Sequence, residues 1–124
     1  MAYQVLLVDD DGPTRTVYHE ILVRMNFEVF EAEDGVKAIE FLSHTAPNVV
    51  VLDLLLPRKS GREVLEFIYA SPNLVRTRVI IFTAHEGLFP LHLRAGDEFL
   101  LKPTNPQVLR DSISRAVSTS ALKR

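Results

Sequence analysis

Two kinds of apolar spacing take turns along this chain. Tyr3 to Val8 is a short β-rich run that ends in three consecutive aspartates, and Val17, Ile21, Leu22 and Met25 then recur at helical spacing across Pro13 to Met25. Pro13 suits the first turn of that helix, where a missing N–H costs nothing. Phe27 to Ala32 reads as a second strand, and Gly35 to Ser43, with Ala38, Ile39 and Leu42 on one side, as a second helix. The unbroken apolar run Val49 to Leu52, closed by Asp53, is what a central parallel strand covered on both faces requires. A third helix follows over Gly61 to Ala70 through Val64, Leu65 and Ile68, and Ser71-Pro72-Asn73 stops it. Val79 to Phe82 is a fourth strand and Glu98 to Leu101 a fifth. Between them Leu88 to Ala95 reads as a short fourth helix, limited by Pro90. Asn105 caps a last helix that begins at Pro106, uses Val108, Leu109, Ile113 and Val117, and decays into Ser118-Thr119-Ser120.

Five strand-then-helix units imply an α/β fold, a doubly wound five-stranded parallel sheet whose right-handed crossovers place helices on both faces. The 124 residues accommodate these units as one domain, with 47% hydrophobic residues for its core. Fourteen basic against 16 acidic side chains give a net charge of −2, too little bulk charge to coat nucleic acid or an anionic membrane. The absence of cysteine excludes disulfides, thiolate zinc sites and thiol catalysis. No apolar run approaches the roughly 20 residues of a membrane span, and the first residues lack a secretory signal, so a cytoplasmic protein is expected. The histidines at 19, 44, 85 and 92 show no zinc-ligand spacing, and the five glycines form no dinucleotide or phosphate-binding loop.

In sheets of this kind ligands bind at the carboxyl ends of the strands. Asp9, Asp10 and Asp11 follow the first strand, Asp53 the third, Thr83 closes the fourth, and Lys102-Pro103 follow the fifth. A lone aspartate in such a place reads as a loop cap. Several carboxylates converging on one rim repel each other, and a hard divalent cation resolves that repulsion. Magnesium suits the site because it takes one or two carboxylates together with waters and phosphate oxygens.

With Val8-Asp9-Asp10, Asp53-Leu54-Leu55-Leu56-Pro57 and Gly61, Thr83-Ala84 and Lys102-Pro103 in this order on these elements, the chain resembles the response-regulator receiver domains of two-component signalling. The resemblance covers essentially the whole chain, which is similar in plan to the single-domain chemotaxis regulators. It implies a flavodoxin-like receiver fold with strand order 2-1-3-4-5 and, in this chain, a shortened fourth helix. Asp53 would be the phosphoacceptor, taking a phosphoryl group from a histidine kinase or a histidine phosphotransfer protein. Asp10, Asp53 and the main-chain carbonyl of Leu55 would hold Mg2+, with Asp9 reaching it directly or through water. Lys102 would offset charge on the phosphoryl oxygens, Thr83 would donate its hydroxyl to one of them, and Ala84 would leave room for the approach. Lys102-Pro103 would be a cis peptide. Thr83 and Phe99 would form the switch, the aromatic ring rotating into space that Thr83 vacates; the plain alternative for Phe99 is a core residue of the fifth strand. Such a module is no turnover enzyme, and it acts through a downstream protein partner, as a monomer or a phosphorylation-dependent dimer. It needs no contact with nucleic acid or membrane.

The chain departs from the family pattern in two places. Leu55 is apolar where many receivers carry a polar side chain able to touch the attacking water, and His85 would flank that water too; these two residues would tune the lifetime of the aspartyl phosphate. The stretch from Thr83 to Lys102 is a few residues short, which predicts a reshaped output surface, with Leu88, Phe89, Leu91 and Leu93 in the core or in a contact patch. Arg58, Lys59 and Arg62 form a small basic cluster beside the site. A kinase would dock on the first helix around Thr14, Arg15 and Tyr18. Alternatives are a receiver cut from a larger regulator or hybrid kinase, and a receiver-like interaction module that is not phosphorylated. A phosphatase with an aspartyl-phosphate intermediate would need a second acid two residues after the nucleophile, where Leu55 stands.

Overall fold

The computed structural model describes residues 2–84 and 92–121. The elements are β1 (Gln4–Val8), α1 (Gly12–Arg24), β2 (Glu28–Ala32), α2 (Gly35–Leu42), β3 (Val49–Leu52), α3 (Gly61–Ala70), a 3-10 turn at Pro72–Leu74, β4 (Arg78–Thr83), β5 (Glu98–Leu101) and α4 (Pro106–Ala121). All strands are parallel, in the order β2-β1-β3-β4-β5. This is the expected doubly wound sheet.

Strand alternation sorts the core into two layers. Leu6, Val8, Val50, Leu52, Val79 and Ile81 face α2 and α3, where Ala38, Leu42, Val64, Leu65 and Ile68 meet them. Val5, Leu7, Val49, Val51, Ile80 and Phe82 face the other way, toward Leu22 of α1 and Leu109, Ile113, Ala116 and Val117 of α4. β3 is buried throughout, which its unbroken apolar run required.

Helix ends follow their local chemistry. Asp11 caps α1 by accepting from the Thr14 backbone and hydroxyl, and Pro13 sits in its first turn. Ser60 and Glu63 form a reciprocal capping box at α3. Asn105 accepts from Gln107 N at 2.8 Å, at the start of α4.

Two expected inward faces are corrected. Val17 is 56% exposed and Val108 41%. In α1 the stripe that meets the sheet is Tyr18 and Leu22, continued by Met25 just past the helix end, with Tyr18 packed edge-on against Phe82 at 5.2 Å between ring centroids. α4 does not decay at Ser118 but continues to Ala121, with Ser120 buried against the Asn48 amide.

The expected helix at Leu88 to Ala95 falls mostly outside the described residues, as do Leu88, Phe89 and Leu91. His92, Leu93, Arg94 and Ala95 are not helical. The Arg94 N–H donates to the Tyr69 hydroxyl at 2.9 Å instead of to a helical carbonyl, while Leu93 is half-buried against the α2–α3 layer. Among the described residues no helix is long and apolar enough to cross a membrane.

Candidate functional site

The parallel sheet carries its polar termini to one edge. The ladder extends one residue beyond the strands there: Asp9 N donates to Ala32 O at 3.2 Å, Asp53 N to Val8 O at 3.0 Å, and Lys102 N to Thr83 O at 2.8 Å. Each of these residues thereby inherits the register of its strand.

Their side chains converge. A carboxylate oxygen from each of Asp9, Asp10 and Asp53 lies within 4.8 Å of the others. Asp9 and Asp53 are buried and Asp10 is exposed, so the cluster opens on one side. The Lys102 ammonium bridges the two buried acids, hydrogen-bonded to Asp9 Oδ2 and standing 3.2 Å from Asp53 Oδ2. Burial pulls the Lys102 pKa down, but the hydrogen bonds and charges of Asp9 and Asp53 outweigh it and raise the pKa overall. Lys102 is therefore charged at neutral pH. Thr83, fully buried, donates its hydroxyl to Asp53 Oδ1 at 2.7 Å, and Leu55 N donates to the same oxygen at 3.2 Å.

This donor set fits a hard divalent ion. It offers only oxygen, and three carboxylates against one ammonium leave two uncompensated negative charges at a rim that is partly open.

The loop after β3 is held close to the acids. A Cβ on Gly61 would stand 2.2 Å from Asp53 O and 2.5 Å from Leu54 Cα, so only glycine lets α3 start this near the site. Gly35 plays the same part for the other end of the loop, where a Cβ would meet Lys59 O at 1.8 Å. Asp34, buried at the start of α2, accepts from Lys37 N at 2.8 Å and lies 3.5 Å from Arg58 Nη1. Arg58 itself takes a left-handed φ of 71°. Sequence reasoning passed over both Gly35 and Asp34, because neither belongs to a strand end.

The remaining site residues are placed as follows. Lys102-Pro103 is a cis peptide. Ala84 is exposed beside Thr83. Leu55 is 53% exposed, with its side chain turned toward solvent. Phe99 is half-buried against the α2–α3 layer, and His85 lies outside the described residues. Asp11, the third acid of its run, is occupied as the α1 cap. Of the basic cluster, Arg58 pairs with Asp34 and Lys59 stands 3.8 Å from Glu63. Arg62 also lines a separate cavity of about 420 Å³ with Leu65, Glu66, Tyr69, Ala70 and His92.

Comparison with known proteins places the chain in a family. Residues 5–114 match the family described as the response regulator receiver domain. The uncharacterized transcriptional regulatory protein YrkP of Bacillus subtilis is 32% identical over 113 residues, covering 88% of this chain and 47% of that protein, so the chain spans about half the length of this relative. The signal receiver domain of a putative Luxo repressor protein from Vibrio parahaemolyticus has a similar structure, with a TM-score of 0.85, 30% identity, and coverage of 98% of this chain and 95% of that one. The receiver domain of the sensor histidine kinase PA1611 from Pseudomonas aeruginosa, solved with a magnesium ion coordinated in its active site cleft, shares the fold at a TM-score of 0.84 and 22% identity, covering 95% and 99% of the two chains. The chain belongs to the response regulator receiver domain family.

Proposed function

We propose that this chain is a phosphoacceptor module in which Asp53 receives a phosphoryl group from the phosphohistidine of a histidine kinase or a histidine phosphotransfer protein. The observation that carries this reading is the double hold on one buried carboxylate: Thr83 on Asp53 Oδ1 and Lys102 on Asp53 Oδ2. A carboxylate so oriented, with the open side of the site lined by Asp10, is presented as a nucleophile. Attack of an Asp53 oxygen forms the O–P bond as the P–N bond to the donor imidazole breaks, and the imidazole leaves with the electron pair.

Asp9, Asp10 and Asp53, with the Leu55 main-chain carbonyl, would hold Mg2+. When bound, the ion would offset charge on the phosphoryl oxygens. Lys102 adds a fixed positive charge from the other side, and Ala84 leaves the approach over Thr83 free of a bulky side chain. After transfer Asp53 has less charge for Thr83 to satisfy, and the new phosphoryl oxygens attract the Thr83 hydroxyl. Movement of Thr83, followed by rotation of the half-buried Phe99, would signal to a downstream protein partner. Leu55 and His85 would set how long the acyl phosphate survives. The module turns over no other substrate, works in the cytoplasm, and touches neither nucleic acid nor membrane directly, as a monomer or a phosphorylation-dependent dimer.

The docking surface for the donor is α1, with one adjustment. Arg15 and Tyr18 are engaged beneath the helix, and Val17 and Val23 are the apolar side chains it leaves exposed. A second reading, a receiver unit within a longer regulator, is favoured by YrkP, of which this chain matches 47%.

The test is incubation with acetyl phosphate and magnesium, followed by intact mass. One added phosphoryl group, lost with a chelator and in Asp53→Ala, supports the reading. No adduct on the folded wild type would leave a receiver-like interaction module, and continuous hydrolysis of the donor beyond one equivalent without a lasting adduct would indicate a phosphatase.

A further inference from the structure

Behind the acidic cluster lies an ordered polar chain that no strand-end motif contains. Arg15, on the first turns of α1, reaches back so that its Nη1 donates to the main-chain oxygen of Asp9 at 2.6 Å. Its Nε donates to Glu31 Oε1 at 2.9 Å, and the Arg15 side chain is only 18% exposed. Glu31 lies on β2 opposite Leu7 of β1, two residues before Asp9. His19, one turn further along α1, brings Nδ1 to 2.6 Å from the other Glu31 oxygen, close but out of line for a hydrogen bond. One guanidinium therefore ties α1, β1 and β2 together at the residue that begins the acidic cluster.

We infer that Arg15 is a positioning residue for the cation site, fixing the Asp9 main chain so that Asp9 and Asp10 present their carboxylates in register with Asp53. The inference rests on the proposed magnesium site and extends it to a residue outside the ligand set. Two opposing effects attend an arginine in this place. Its positive charge repels a cation, whereas its hydrogen bond to Asp9 O orders the ligands. Glu31 bears on both, since its negative charge offsets the guanidinium and its oxygen holds the guanidinium in the orientation that reaches Asp9. Charge-assisted hydrogen bonds of this kind are the stronger and more directional ones, and partners behind metal ligands commonly affect affinity by about ten- to a hundredfold. Positioning therefore wins over repulsion.

The sign of one measurement separates the two effects. Arg15→Met removes a positive charge, and by electrostatics alone it would tighten cation binding. By positioning it weakens binding. Titration of the full chain with magnesium chloride by calorimetry is expected to give a dissociation constant about tenfold larger for Arg15→Met than for wild type, with Arg15→Lys recovering part of the loss through its own donor to Asp9 O. Equal or tighter binding by a folded Arg15→Met, judged by circular dichroism, overturns the inference and leaves the magnesium site standing. Failure of wild type to bind magnesium at millimolar concentration overturns both. Should Arg15→Met not fold, Glu31→Gln at about 1 M salt, where the Debye length of about 3 Å screens the lost charge, takes its place: weaker binding supports the positioning role, and wild-type affinity contradicts it.

Discussion

The Lys102 ammonium stands 3.2 Å from Asp53 Oδ2, on the carboxylate oxygen opposite to the one that Thr83 holds. The same ammonium is hydrogen-bonded to Asp9. It thus occupies oxygens on two of the three acids that a cation would share. Lys102→Met is expected to bind magnesium several-fold more tightly than wild type, because the competing charge is gone. Its phosphorylation by acetyl phosphate should fall by about a hundredfold, the usual scale for losing one fixed charge or donor at a reacting oxyanion. Calorimetry and time-resolved intact mass read the two effects separately. Weaker magnesium binding would show that Lys102 orders the acids rather than competing for them.

Leu55 follows Asp53 by two residues, and its half-exposed side chain offers no hydrogen bond to a water approaching the phosphoryl group. Leu55→Asn supplies an amide there and should shorten the life of the phosphorylated protein several-fold by orienting that water. Intact mass after removal of the phosphodonor gives the decay. An unchanged or longer lifetime would remove Leu55 from this role.

At the opposite end of β4 a buried carboxylate is fully employed. Asp97 Oδ1 accepts from Val79 N at 2.8 Å, and Asp97 Oδ2 accepts from the Tyr69 hydroxyl at 2.6 Å. Arg94 lies over the Tyr69 ring at 4.3 Å and donates to Thr77 O at 2.6 Å. Burial first, then the hydrogen bond to Asp97, pushes the Tyr69 phenol up from 10.0 to about 12. The unfolded chain loses this proton near pH 10 and the folded chain near 12, so the associated stability is full below pH 10 and disappears between these values. Tyr69→Phe leaves Asp97 and Arg94 N each short of a partner and should lower stability by about 1–3 kcal/mol at neutral pH. Urea unfolding across pH 7 to 12 should show this, and the alkaline decline should be shallower in the variant.

The strand ends were legible because a parallel sheet sends every carboxyl terminus to one rim, so Asp9, Asp10, Asp53, Thr83 and Lys102 group together from the sequence alone. β3, β5 and α3 begin and end where their apolar runs and stop signals place them. Helical spacing alone could not choose between adjacent stripes of α1. Val17 and Tyr18 both head a plausible face, and packing on Phe82 selects Tyr18. Nor could local composition foresee α4 continuing through Ser118 to Ser120, where a contact with Asn48, distant in sequence, keeps the last turn helical. Arg15 with Glu31, Asp34 with Arg58, and Tyr69 with Asp97 are likewise pairs made by the fold. Each residue taken alone reads as an ordinary surface polar group.

Trapping the acyl phosphate shows directly whether Asp53 is the residue modified. Borohydride reduces an aspartyl phosphate to homoserine, and peptide mass spectrometry then locates the altered residue. After incubation with acetyl phosphate and magnesium, homoserine is expected at position 53 in wild type and none in Asp53→Asn. Homoserine at Asp9, Asp10 or any other acid, or an unmodified Asp53 in a chain that carries phosphate, would contradict it.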